Sequence, residues 1–190
     1  LAFTHAFGRD TVFTYGPLGF LICPQMPLVN VLTALCANLM HSALWAFALV
    51  ALYFSDRRSH AGAWLLLATV FIPQSNMEWR WVSLAVVLVA VPVIAPQVRL
   101  RNLLLAFAGV VLALVSFMKF SSLVVVAGAQ VFCLGAIIWR ERRYAAVLFP
   151  WGGATVAVVG IAAALSFDSV DSLIRWFGGS LAIASGYNKY

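Results

Sequence analysis

Acidic side chains are scarce in this chain. Asp and Glu together number 6 in 190 residues, and charged residues of both signs make up only 9%. A soluble domain of this length needs far more polar surface to stay in water. Cysteine is nearly absent too. Cys23, Cys36 and Cys133 form an odd set without paired spacing, which excludes a disulfide framework and a CxxC redox or zinc element. Cys36 and Cys133 stand inside apolar runs and read as small hydrophobes. The three histidines, His5, His41 and His60, are dispersed, and no His/Cys/carboxylate cluster has metal-ligand spacing. There is no Gly-rich phosphate loop and no Ser/His/Asp arrangement. Without a soluble nucleotide-binding domain, a sugar-nucleotide donor has no familiar place to dock. No internal repeat argues for an inverted-repeat transporter, and no signal-peptide pattern is visible. The chain opens mid-pattern at Leu1 without an initiator Met, so a fragment with a further span upstream is expected.

What is present is apolar: 64% of residues are hydrophobic and the mean hydropathy is +0.99. The bilayer is the natural solvent for such a sequence. The net charge of +6 is not a nucleic-acid signal, because no basic face of a folded domain carries it. Arg57 and Arg58, then Arg99 and Arg101, then Arg140, Arg142 and Arg143 stand in short clusters between apolar runs. That is the pattern of cytoplasmic loops.

A hydrocarbon core of roughly 30 Å needs about 20 helical residues. Six spans are expected on that basis: Leu28 to Phe54, His60 to Pro73, Trp81 to Ala95, Leu103 to Phe117, Leu123 to Trp139, and Ala145 to about Leu165. The fold class is therefore an all-α polytopic transmembrane bundle. It comprises an outer loop over 1–27, about six helices over 28–165, and an outer interfacial helix or loop over 166–190. With the arginine clusters in the cytoplasm, every other polar island lands outside. The inside loops then carry seven arginines against Asp56 and Glu141, a net of +5. The outside carries Arg9, Arg80, Lys119, Arg175 and Lys189 against Asp10, Glu78, Asp168 and Asp171, a net of +1. Short helices joined by polar turns are expected around Asn76-Met77-Glu78 and around Lys119. Non-helical backbone at that depth is tolerated where protein or a water-filled cavity covers it, so a cavity recessed into the outer leaflet is expected there.

The chemically varied residues gather on that outer side. In "GRDTVFTYGPLGFL", Gly8 to Leu21, the Gly16-Pro17 pair favours a tight turn. Asp10 there is either a loop residue capping the amides of Thr11 and Val12 or a working carboxylate. Lys119 either snorkels to the interface or contacts a phosphate, with Ser121 and Ser122 as extra donors at a helix start. Glu78 and Arg80 either pair across a turn, or Arg80 offers a planar fork to a phosphate. Trp79 and Trp81 are interfacial anchors or a sugar-stacking platform. Arg9, Tyr15, Glu78 and Trp79 are the further candidates for substrate contact. In the tail, Asp168 and Asp171 precede Leu173, Ile174, Trp176 and Phe177. Acidic residues suit a helix start. A short interfacial helix is expected, ended or bent by Gly178-Gly179. It is either a lid over the cavity or a plain connector.

An early outer loop bearing Asp10, then aromatic residues, then Gly16-Pro17-Leu18 feeding a long span, resembles the GT-C superfamily of integral-membrane glycosyltransferases. The resemblance is nearest to the bacterial branch of protein mannosyltransferases and lipid A aminoarabinose transferases. That branch often reads Gly-x-x-x-x-Asp, whereas this chain has Gly8-Arg9-Asp10, a shorter spacing. The resemblance implies a polyprenyl-phosphate-linked sugar donor and transfer to an acceptor on the extracytoplasmic side of a bacterial inner membrane, with inversion at the anomeric carbon. It implies Asp10 as general base or orienter of the acceptor hydroxyl. A carboxylate there both takes the proton and stabilises an oxocarbenium-like state. Lys119 and Arg80 are the candidates for the leaving phosphate. No cofactor and no metal site are expected, although a divalent cation serves parts of this superfamily. Other classes for the same residues are a transporter or flippase for a lipid-linked or anionic substrate, and a non-catalytic membrane scaffold.

The topology has a direct test. In a background lacking the native cysteines, single cysteines at positions 10 and 142 should be labelled by impermeant reagents from opposite faces of the membrane. Labelling of both from one side would end this orientation.

Overall fold

The computed structural model describes residues 31–55, 77–94 and 100–186. These form six helices: α1 Val31–Ser55, α2 Met77–Ile94, α3 Arg101–Met118, α4 Phe120–Glu141, α5 Tyr144–Ser166 and α6 Val170–Gly186. No strand occurs among the described residues. α3, α4 and α5 are each long and apolar enough to cross a membrane, and α1 and α2 carry shorter apolar stretches, Leu35–Ala51 and Trp79–Ile94. The protein is a multi-pass helical membrane protein. Of the six expected spans, the one over residues 60–73 lies outside the described residues.

The helices end where charge meets the apolar runs. Between α3 and α4 a single residue, Lys119, leaves the helical conformation, with its own N–H bonded to the Val115 carbonyl at 3.1 Å. The α4–α5 turn is Arg142-Arg143. Arg142 takes the left-handed conformation, φ 56° and ψ 22°, which costs an L-residue about 1–2 kcal/mol. Its guanidinium lies 4.7 Å from the Trp139 ring centroid, a cation–π contact that offsets part of that cost, and its charge suits a helix C-terminus.

Two boundaries differ from expectation. α2 begins at Met77 rather than Trp81, so Glu78 and Arg80 lie in the first turn of a helix and not across a turn. Positions two apart on a helix do not face each other. Gly178-Gly179 does not end α6, which runs on to Gly186. The first turn of α6 is fixed by Ser169, whose Oγ accepts the Ser172 N–H at 3.2 Å, an N-cap bond. Asp171 sits in that first turn and pairs with Arg175 at 2.7 Å on the exposed face.

The centre of the bundle is organised by one polar side chain. Gln130 of α4 is fully buried. Its Nε2 donates to the carbonyls of Ala85 on α2 (3.1 Å) and Ala108 on α3 (3.0 Å). Its Oε1 accepts from Trp151 Nε1 of α5 at 2.8 Å. Four helices thus meet at one amide. The most extensive helix contact is α3 against α5, and it depends on Gly109. A Cβ there would stand 2.2 Å from the Trp151 carbonyl oxygen and 2.8 Å from Thr155 Oγ1. Such close backbone approach is how membrane helices gain packing energy without a hydrophobic drive between them. Around these contacts lie Leu84, Leu88, Leu104, Leu105, Val111 and Ile137, all buried. The outward faces are equally apolar: Phe132 is 80%, Phe149 81% and Leu165 83% exposed. In water this pattern would aggregate; facing lipid tails, it is expected.

One end of the bundle carries Arg101, Arg140, Arg142 and Arg143. Arg140 donates to the Val93 and Pro92 carbonyls at 2.9 and 3.1 Å, capping the last turn of α2. Arg101 pairs with Glu141. These contacts bring the α2 C-terminus, the α3 N-terminus and the α4 C-terminus together. Arg80, Lys119, Phe167 and the start of α6 are therefore at the opposite end. There Trp176 stacks on Phe117 with centroids 5.8 Å apart and planes 14° apart, and it meets Phe167 at 5.7 Å. Phe177 meets Phe120 edge-on at 5.3 Å. α6 lies over the ends of α3, α4 and α5.

Two substitutions test the centre. Gln130→Leu removes three interhelical bonds and strands the Trp151 N–H. It should lower the unfolding free energy in mixed micelles by about 1–3 kcal/mol. Gly109→Ala should cost a similar amount, roughly 1–3 kcal/mol from overpacking. Melting points matching the parent protein in both variants would show that neither contact holds the helices.

Candidate functional site

The candidate residues of the described segments gather at the end opposite the arginine clusters. Lys119, Ser121 and Ser122 come together by adjacency at the α3–α4 junction. Lys119 is half-buried, Ser121 is exposed and Ser122 is buried. As N-cap residue of α4, Lys119 brings an ammonium group, a donor-only head, to the positive end of a 22-residue helix. A cation there is opposed by the helix dipole.

Arg80 belongs to the same end but to another helix and another depth. Ala85, Ala108 and Gln130 share one level through their direct hydrogen bonds. At 1.5 Å per residue, Lys119 stands about 16 Å above that level and Glu141 about 16 Å below it. The bundle therefore matches a hydrocarbon thickness of roughly 30 Å. On the same scale Arg80 stands only about 8 Å above the centre. An arginine at that depth is costly in lipid and, as a rule, faces protein or a water-filled cavity; Arg80 is half-buried.

Beside Arg80 stands a residue with no candidate role in the sequence. His41 of α1 packs its ring 5.0 Å from that of Trp81. Its Nε2 accepts from Trp45 Nε1 at 3.2 Å and lies 3.3 Å from the Arg80 carbonyl. One ring nitrogen cannot accept from the indole and donate to the carbonyl at once, so the imidazole has two alternative settings. The His41/Trp45 spacing of four residues was visible in the sequence; their approach to α2, about 40 positions on, was not. Trp81 is buried against His41 and serves neither as interfacial anchor nor as sugar platform. Trp79, half exposed, keeps both roles open.

Asp10, Arg9 and Tyr15 lie outside the described residues, and so does any approach of Asp10 to Arg80 or Lys119. Glu78 is placed only as a first-turn position of α2. Among the described residues no group of three or more His, Cys, Asp or Glu stands together to hold a metal ion.

Comparison of the chain with protein-family models, with curated proteins and with solved structures finds no match.

The depth of Arg80 is testable by reactivity. In a cysteine-free background, Arg80→Cys should react with a small charged methanethiosulfonate from the same side as Lys119→Cys, and more slowly. An Arg80→Cys protein inert to that reagent, yet open to a lipid-soluble maleimide, would place the residue against lipid and remove it from any aqueous recess.

Proposed function

We propose that this chain is the membrane part of a glycosyltransferase that moves a sugar from a polyprenyl-phosphate carrier to an acceptor at the extracytoplasmic face, with a GT-C-like architecture. The observation that carries the reading is the position of Arg80. A half-buried arginine lies about 8 Å above the bundle centre, on the same end as Lys119 and away from the cluster of Arg101, Arg140, Arg142 and Arg143. Two cations at different depths suit a ligand whose charge sits at the edge of the bilayer while its tail lies in the hydrocarbon. A lipid phosphate has that shape.

In this reading the acceptor hydroxyl attacks the anomeric carbon from the face opposite the phosphate. The new C–O bond forms as the bond from the anomeric carbon to the phosphate oxygen breaks, with inversion. Asp10 takes the hydroxyl proton, and its charge favours the oxocarbenium-like state. The electron pair leaves with the lipid phosphate, whose growing charge Arg80 and Lys119 balance. Ser121 and Ser122 supply neutral donors. Arg9, Tyr15, Glu78 and Trp79 are the candidate contacts to sugar and acceptor. The compartment that suits this chemistry is a bacterial cytoplasmic membrane with the active end outward.

The distinguishing variant is Asp10→Asn. A transferase should lose at least about a hundredfold in turnover, the usual worth of a general base, while still binding the lipid phosphate. Uptake of an anionic or lipid-linked substrate into vesicles, unchanged by Asp10→Asn, would instead identify a transporter or flippase. Neither turnover nor uptake would leave a scaffold.

A further inference from the structure

The charged groups at the arginine end are not all used by the fold. Arg101 pairs with Glu141, and Arg140 donates to the Pro92 and Val93 carbonyls while standing 3.5 Å from Glu141. Those two arginines hold helices together. Arg142 and Arg143, the α4–α5 turn, do not. Both are exposed, and among the described residues no acidic side chain pairs with either. The first turn of α5 adds no acidic residue beside them.

The backbone of the turn points the same way. The left-handed position after a helix is where glycine fits without cost, yet this chain keeps an arginine there, at φ 56°. No other non-glycine residue among the described residues has a positive φ. A residue held in that conformation points to a role for its side chain. The contact with Trp139 steadies the Arg142 guanidinium and uses none of its five N–H donors.

Depth decides what those donors meet. The turn follows Glu141 directly, about 16 Å from the bundle centre, and so lies at the edge of the hydrocarbon, where phospholipid phosphates begin. Trp139 and Tyr144, 73% and 58% exposed, flank the turn, as aromatic residues do at a lipid–water boundary. From Trp139 an exposed stripe of α4 runs inward through Gly135, Phe132 and Gly128. Steps of four, three and four residues keep it on one helix face. Gly128 is two residues from Gln130, so the stripe spans one leaflet. A Cβ at Gly128 or Gly135 would meet nothing within 4 Å, so shallow gaps alternate with the Phe132 and Trp139 rings. A free anion would use only the arginines. A ligand with a phosphate and an acyl chain uses the arginines and the stripe together.

We propose that the α4–α5 turn binds a phospholipid of net negative charge, its phosphate on Arg142 and Arg143 and one acyl chain along the stripe from Trp139 to Gly128. Each arginine near the surface is worth about fivefold in affinity for an anionic lipid. A zwitterionic headgroup brings its own cation to the same pair and gains less. The site lies at the end opposite Arg80 and Lys119 and does not depend on the transferase reading.

The test uses the full chain in a neutral detergent and the double variant Arg142→Asn/Arg143→Gln. Asn tolerates the left-handed backbone, so the turn is kept while both charges go. Dioleoylphosphatidylglycerol, dioleoylphosphatidylcholine and glycerol phosphate serve as probes. The readout is the thermal midpoint against probe concentration, with lipid retained in native mass spectrometry as a second measure. Phosphatidylglycerol should raise the wild-type midpoint, and the double variant should need at least about ten times more of it for the same rise. Wild-type protein should also keep phosphatidylglycerol in preference to phosphatidylcholine in the spectrometer, and the variant should show no preference. Equal stabilisation by phosphatidylcholine would reduce the stripe to ordinary lipid contact and overturn the proposal. An equal response to glycerol phosphate would make the turn a patch for soluble anions and overturn it too. So would an undiminished response in the double variant, or none in the wild type.

Discussion

Gln130 is the one polar side chain on which the bundle's arrangement depends. Its amide lies near the middle of the membrane, where no water completes a hydrogen bond, and its NH2 group and its oxygen bond to three other helices. Two of its bonds go to backbone carbonyls of α2 and α3, which fixes their vertical register as well as their neighbourhood. Apolar ridges alone would let such helices slide by a turn at small cost, because lipid and leucine are equally apolar. The amide removes that freedom. The depths of Arg80 and Lys119 follow from this register, and with them the character of the outer end.

The α3–α5 contact adds a second constraint of a different kind. At Gly109 the limit is steric, since backbone meets backbone with no room for a methyl group. Thr155 reinforces it, with Oγ1 2.8 Å from the Trp151 carbonyl and 3.3 Å from that of Gly109. Trp151 takes part in both constraints, through its carbonyl here and through its indole at Gln130. A change at either place is therefore felt at the other. The arginine end is held by charge instead, through Arg140 on the α2 carbonyls and Arg101 on Glu141.

Much of this was legible in the sequence, and the rest was not for identifiable reasons. The breaks at Lys119 and at Arg142-Arg143 were visible because charge cannot continue an apolar run. The separation of the arginine clusters from Arg80 and Lys119 followed from the same spacing. Gln130 was invisible as a hub, since a single amide within an apolar run says nothing about which carbonyls it will meet. In sequence the Met77–Arg80 stretch reads as loop, because it follows Pro73 and carries Glu78 and Arg80, yet it forms the first turn of α2. The acidic start of α6 is legible and Asp171 stands in its first turn, while the N-cap bond from Ser169 adds to it. Among the candidate site residues, adjacency predicted Lys119, Ser121 and Ser122 together. It could not bring in His41, whose surroundings are made by long-range packing.

The α3–α4 junction contains neither glycine nor proline, only Met118, Lys119 and Phe120. Nothing in those three side chains forbids a helix. Were Lys119 helical, residues 101–141 would form one rod about 60 Å long, twice the hydrocarbon thickness. The fold-back is thus imposed by the solvent, with Lys119 marking where the chain reaches water. The bilayer acts here as a ruler, and the turn exists because the ruler is short.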